Sequence, residues 1–252
     1  MFENVIEFSA PEAYVQNEEE NVFPSPIKKN MPEWFKKLKH GFPKKTVKGC
    51  MPFLDTLTSG YLLKNPQDLH IVHAKEHTSE DGKNMLMADQ QTGFTGFHEP
   101  INLKHKTQPP EMQGINQVEG WPKLEKNLDG PIHKFINPWK IKTPPGYSCL
   151  FLPVLNNNDS RFEIIPGIVD TDSFPLEINF PFILNGYKYK APIEFIIKKG
   201  TPIVQVFPFK RQKWKMKISP YNIKKRTVDA GLFDTTILNS YKNSFWYKKD
   251  FK

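Results

Sequence analysis

The chain has 252 residues, a formal net charge of +8, 38% hydrophobic residues, and 23 prolines against 14 glycines. Proline breaks helices and is barred from central strands, so this composition excludes a protein built from long helices and points to an all-β fold with long connections. Cys50 and Cys149 stand alone without CxxC spacing, which excludes a zinc knuckle or a disulfide framework, and no run approaches the ~20 apolar residues of a membrane helix.

Residues 1–48 read as an extended N-terminal arm. Met1 to Phe8 suits one short strand, Glu18-Glu19-Glu20 is a solvated acidic patch, and Pro24, Pro26 and Pro32 keep the chain extended. Met31 to Leu38 predicts a short helix with Pro32 in its first turn and Glu33 at the positive end of its dipole. Trp34 and Phe35 share a face with Leu38 and become candidate assembly residues, pinning the arm to a body or to another subunit.

A β domain is expected over residues 49–209. Leu69 to Ala74 reads as a strand in which alternation puts His70 and His73 on opposite faces, so His70, His73 and His77 do not form a metal site. Residues 78–141 are irregular and predict an insertion with short strands, serving binding or assembly. From Pro145 the strand signals strengthen: Tyr147 to Leu155, Phe162 to Ile165, Leu176 to Phe182, Ile193 to Ile197 and Pro202 to Phe207, separated by turn residues such as Asn185-Gly186 and Lys199-Gly200. Such spacing suits a sandwich, jelly roll or barrel.

Residues 210–252 form a basic, aromatic tail. Leu232, Phe233, Ile237, Tyr241 and Phe245 recur at near-helical spacing and predict one short helix from about Asp229 to Tyr247. Phe233 and Trp246 join the candidate assembly residues. Trp214 and Trp246 among lysines also suit a binder of single-stranded nucleic acid, although an amphipathic helix with solvated lysines accounts for them more simply. The basic excess is compatible with nucleic acid, nucleotide phosphates or an acidic partner.

Four motifs in order resemble the deoxyuridine triphosphatase superfamily, a β-clip jelly roll that forms trimers. Ser59-Gly60-Tyr61-Leu62-Leu63 resembles its early Ala-Gly-Tyr-Asp-Leu segment. Pro144-Pro145-Gly146-Tyr147 resembles its Pro-x-Gly-Tyr strand entry. Gly167-Ile168-Val169-Asp170-Thr171-Asp172 is similar to its catalytic hairpin, and Gly200-Thr201-Pro202-Ile203-Val204-Gln205 to its Gly-Asp-x-Ile-Ala-Gln segment. The resemblance covers about half the chain. It implies a catalytic Asp170 positioning and deprotonating a water, nucleotide contacts from Tyr61, Gly167, Val169, Asp172 and Gln205, and Mg²⁺ as the cofactor of the hydrolysis.

The chain departs from that family at three places. Leu62 replaces a metal-organising carboxylate, Phe151-Leu152-Pro153-Val154-Leu155 stands where an Arg-Ser-Gly phosphate segment is expected, and the glycine-rich C-terminal arm is replaced by the lysine-rich tail. The departures imply a β body that has lost its chemistry: a non-catalytic structural protein without a cofactor, acting in a homo-oligomer or particle. Nucleotide binding or hydrolysis at the Gly167–Asp172 hairpin is the alternative. The pattern also resembles an uncharacterised family of tailed phages, carried by Pro32 to Lys37, Cys50 to Asp55, Gly167 to Asp172 and Pro208 to Arg211, which implies location in host cytoplasm or virion. No secretion signal is read at the N-terminus.

Overall fold

The computed structural model describes residues 4–17, 20–78, 84–88, 118–122, 132–157, 159–185, 193–235 and 240–252. The chain divides into two compact units, residues 1–25 with 61–210, and residues 26–60 with 211–252. Most of the expected insertion at 78–141 lies outside the described residues.

The first unit is mainly β, built of antiparallel sheets. Its elements are β1 (Glu7–Ser9), helix α1 (Glu12–Asn17), β2 (Ser25–Pro26, where the chain passes to the other unit), β3 (Tyr61–Lys64), β4 (Leu69–Thr78), β5 (Asn84–Ala88), β6 (His133–Phe135), β7 (Lys140–Lys142), β8 (Tyr147–Leu152), β9 (Phe162–Ile164), β10 (Gly167–Val169), β11 (Phe180–Leu184), β12 (Ile193–Ile197) and β13 (Pro202–Lys210). The largest sheet has the order β10-β8-β13-β3-β2, and smaller ones are β6-β11-β9, β12-β4-β5 and β1-β7.

The strands expected from Tyr147 onward are present, Ile193–Ile197 with the expected bounds and the others with shifted ends. Strand β13 runs antiparallel to β3 and β8, with Gln205 opposite both Leu62 and Leu152. Its residues Ile203 to Val206 are fully buried; a strand covered on both faces reads as a continuous apolar run rather than an alternation. The register with β3 ends at Val206↔Tyr61, so Pro208 lies beyond it, facing Cys149 of β8. That fits a residue unable to donate to a second ladder.

Five phenylalanines, Phe135, Phe151, Phe162, Phe180 and Phe182, fill the core. Phe135 stacks on Phe182 at 4.2 Å between ring centroids and meets Phe162 edge-on at 5.1 Å. The first residues of the expected arm belong to this unit. Phe8 packs on Tyr61, and Tyr14 of α1 meets Trp139 edge-on at 5.7 Å, while β1 pairs with β7. Apolar burial of this kind contributes about 2 kcal/mol per large side chain, enough to hold a short segment whose own secondary structure is weak.

Buried Asn65 joins two connections. Its backbone N–H donates to the Thr201 carbonyl and its carbonyl accepts from Gly200, while Nδ2 donates to the Ile197 carbonyl at 2.9 Å. Gly200 has a φ of +80°, a conformation that favours glycine. Next to it, Asp68 pairs with Lys198 at 2.8 Å and accepts the Lys199 N–H.

The second unit holds helices α2 (Glu33–Lys37), α3 (Met51–Thr58), α4 (Ile223–Thr235) and α5 (Ser240–Ser244). The structure shows α4 and α5 where one helix over 229–247 is expected. Helix α4 starts earlier because the Asn222 side chain accepts the Lys225 N–H at 3.1 Å and caps it. Helix α3 escapes the sequence reading, although Pro52 in its first turn is a start signal.

Replacing Asn65 by Leu keeps the volume but leaves the buried Ile197 carbonyl without that donor. We expect a loss of about 1–3 kcal/mol in urea unfolding with an unchanged slope, whereas Asp68→Asn at the exposed pair beside it changes stability by less than about 1 kcal/mol.

Candidate functional site

The segment carrying the expected catalytic aspartate is placed by strand pairing. Gly167, Ile168 and Val169 oppose Phe151, Leu150 and Cys149 of β8, and among the described residues β10 forms one edge of the large sheet. The expected hairpin is not formed. The following strand, β11, pairs instead with β6 and β9. Between β10 and β11 the chain turns tightly: the Asp170 carbonyl accepts the N–H groups of Ser173 and Phe174 at 3.1 and 2.9 Å.

Both aspartates tie this turn to the entry of β8. Asp170 is exposed, and its Oδ1 accepts the Ser148 hydroxyl at 2.6 Å. Asp172 accepts the Gly146 N–H at 2.8 Å, and its carbonyl accepts the Lys142 ammonium. Gly146 has a φ of +85°, which presents its N–H to the carboxylate at little conformational cost for glycine. Between the aspartates, Thr171 is fully buried. Its hydroxyl lies 2.7 Å from that of Thr143 and donates to Cys149 Sγ at 3.4 Å, and its carbonyl accepts the Thr143 N–H.

Burial pushes the Cys149 thiol up to about 11, the Thr171 hydroxyl opposing the shift. Exposed Cys50 is the accessible thiol.

The other expected nucleotide contacts are dispersed in role. Gln205 is fully buried in β13, and its Oε1 accepts the Leu155 N–H at 2.9 Å. Tyr61 is half-buried with its ring on Phe8, Val169 packs against the core, and Gly167 is exposed. Leu62 is buried. Among the described residues no group of three or more histidines, cysteines or acids is arranged to hold a metal ion. Asp170 accepts from Ser148 and Asp172 from Gly146, an arrangement that fits a turn fastening better than a Mg²⁺ site, which demands several oxygen ligands in near-octahedral array.

The expected assembly residues fall in the second unit. Phe35 is buried and stacks on Phe53 of α3 at 6.1 Å, while Trp34, which is exposed, meets Phe53 edge-on at 6.0 Å. Trp246 donates its indole N–H to both carboxylate oxygens of Asp55 at 3.0 and 3.1 Å. Lys249 reaches the same carboxylate at 2.6 Å and lies over the Trp246 ring, and Lys28 pairs with Asp250 at 3.0 Å. The pairing with Lys28 holds the Asp250 carboxyl below its ordinary range. Phe233 lies on α4, but its side chain is outside the described residues.

Sequence reasoning singles out Trp214 and the basic character of the stretch between β13 and α4, but not the apolar run around it. Every residue from Arg211 to Asn222 is exposed and outside regular secondary structure. Trp214, Met216 and Ile218 are 87%, 84% and 87% exposed, and they alternate with Lys213, Lys215 and Lys217. That period of two was the available signal. Among the described residues no helix is long and apolar enough to cross a membrane.

No family model, no curated protein and no solved structure matches this chain.

Two outcomes follow from this geometry. Asp172→Ala removes the acceptor for Gly146 and lowers stability by about 1–2 kcal/mol, measured as a drop in melting temperature. For Cys149, the folded pKa is raised above the ordinary 9.0, so the thiol's contribution is fully present below pH 9 and is lost as pH rises toward about 11. An unfolding series across that alkaline range shows this decline in the wild type, and Cys149→Ala flattens it.

Proposed function

We propose that this protein is a non-catalytic assembly protein that uses its β body as a scaffold and self-associates through its C-terminal segment. The observation that carries the reading is the run from Trp214 to Ile218, whose three large apolar side chains are more than four-fifths exposed. Isolated exposed apolar residues are ordinary, but three in regular alternation, without a strand or helix of their own, suit a segment that is covered on association.

The acids support the same reading. Asp170 and Asp172 bind Ser148 and Gly146, the work of turn aspartates, and Gln205 serves the Leu155 N–H. The order of motifs supports a degenerate deoxyuridine triphosphatase-like β-clip or jelly roll as the body, and resemblance to a tailed-phage family supports a role in a homo-oligomer or particle assembled in host cytoplasm. Such a protein needs no cofactor. A fold by itself does not carry an activity with it.

Sedimentation velocity of the full chain at micromolar concentration tests the reading. The wild type is expected to sediment as an oligomer, and the triple variant Trp214→Ser, Met216→Ser, Ile218→Ser as a folded monomer. In parallel, deoxynucleoside triphosphates with Mg²⁺ are expected to leave the melting temperature unchanged. A monomeric wild type, or a nucleotide-induced rise abolished by Asp170→Asn, overturns the proposal, the second result in favour of a nucleotide site.

A further inference from the structure

The same exposed run has a definable counterpart on another copy of the chain. An extended strand rises about 3.3 Å per residue and points successive side chains to opposite faces. Laid out so, Lys213 to Ile218 presents Trp214, Met216 and Ile218 on one face and Lys213, Lys215 and Lys217 on the other. Pro220, just beyond, cannot donate to a ladder and would end such a strand. The segment is also the most basic in the chain: residues 210–228 contain eight lysines and arginines and no acid.

A strand of this kind needs an edge with apolar side chains and negative charge. Edge strands offer unpaired backbone groups as templates, and among the described residues β10 is an edge of the large sheet. Ile168 at its centre is 63% exposed, and the run that follows exposes Phe174 and Leu176. Asp170 bends this run back on itself through the Ser173 and Phe174 N–H groups, keeping the apolar residues close after the edge. Residues 159–179 hold five acids, Asp159, Glu163, Asp170, Asp172 and Glu177, against Arg161, which pairs with Asp159 at 2.6 Å, so the segment stays net negative in a chain whose formal net charge is +8. Opposite charge across an interface steers association and sets register.

Resting on the assembly reading above, we propose that Lys213–Ile218 of one copy adds as a strand to the β10 edge of a second copy. Its apolar face meets Ile168, Phe174 and Leu176, and its lysines meet the acids of residues 159–179. The occupant is another copy because the chain itself carries both halves of the complementary pair. Strand addition draws affinity from main-chain hydrogen bonds and specificity from alternate side chains. An arm-to-edge contact of this type joins two different surfaces, and so builds rings or longer arrays unless it is reciprocal.

Cross-linking in the full chain tests it. In a Cys50→Ser background, which removes the exposed thiol, one population carries Ile168→Cys and a second, distinguishable by a mass tag, carries Met216→Cys. Co-expressed and oxidised, they are expected to yield a disulfide-linked heterodimer far in excess of either homodimer. Independently, Lys215→Glu with Lys217→Glu is expected to weaken self-association about tenfold or more, and Glu163→Lys with Glu177→Lys to restore it in a mixture. An oligomer that persists without the cross-link and is indifferent to charge reversal overturns this contact while leaving the assembly reading standing. A monomeric wild type overturns both. If charge reversal spares the oligomer but abolishes salt-sensitive retention of single-stranded DNA, the segment contacts nucleic acid and the proposal falls.

Discussion

The double pairing of β13 is the constraint on which the β unit depends. Four consecutive residues, Ile203 to Val206, are buried, and the strand holds β8 on one side and β3 on the other. A strand in that position cannot leave any backbone group unpaired, because no water reaches it to substitute. The positions of β8, and through it β10, therefore follow from β13. The one polar side chain in the buried run, Gln205, is accommodated by accepting, through its Oε1, the N–H of Leu155 just beyond β8. This use of Gln205 ties the end of β8 to the centre of the sheet.

Buried polar residues do comparable work wherever the chain changes direction. Asn65 closes the β3–β4 connection onto the β12–β13 turn. The Asn137 side chain donates to the Trp139 carbonyl at 2.7 Å, and its backbone N–H donates to Asn179 Oδ1 at 3.1 Å. Thr143 and Thr171 share a hydroxyl contact beneath the β10 turn. Each fastening exchanges bonds to water for bonds to protein, so its net gain is modest, while the cost of breaking one inside the core is larger. That asymmetry makes these residues specifiers of loop geometry more than sources of stability. The aspartates of the β10 turn take part in the same kind of fastening, accepting from Ser148 and Gly146.

The second unit is organised differently. It has less apolar burial and relies on aromatic contacts around Phe53 and on a polar knot around Asp55, where Trp246 and Lys249 converge. A carboxylate that accepts from an indole and pairs with an ammonium is held by charge-assisted bonds. The end of the chain is thereby tied to α3, while residues 211–222, lying between β13 and α4, stay exposed. The exposed run is thus bounded at both ends by ordered structure, and an extended segment so bounded loses less conformational entropy on pairing than a free tail does.

The mainly β character was legible in the chain, because turn residues and alternation are local signals: Tyr147, Phe162, Ile193 and Pro202 each open a strand where the pattern places one. So was the helix around Trp34 and Phe35, from a proline at its start and a shared apolar face. Strand partners were not. The Gly167–Asp172 motif looks like a hairpin because its residues favour a turn, yet β10 pairs backward with β8 and the next strand joins another sheet. Asp170 and Asp172 find their partners 22 and 26 residues away, at Ser148 and Gly146. Composition and periodicity determined by themselves the kind of element and the strongly basic end. Only the tertiary structure decided which edges meet, which acids are engaged and that the lysine-alternating run lies exposed, since those depend on long-range packing that no local pattern records.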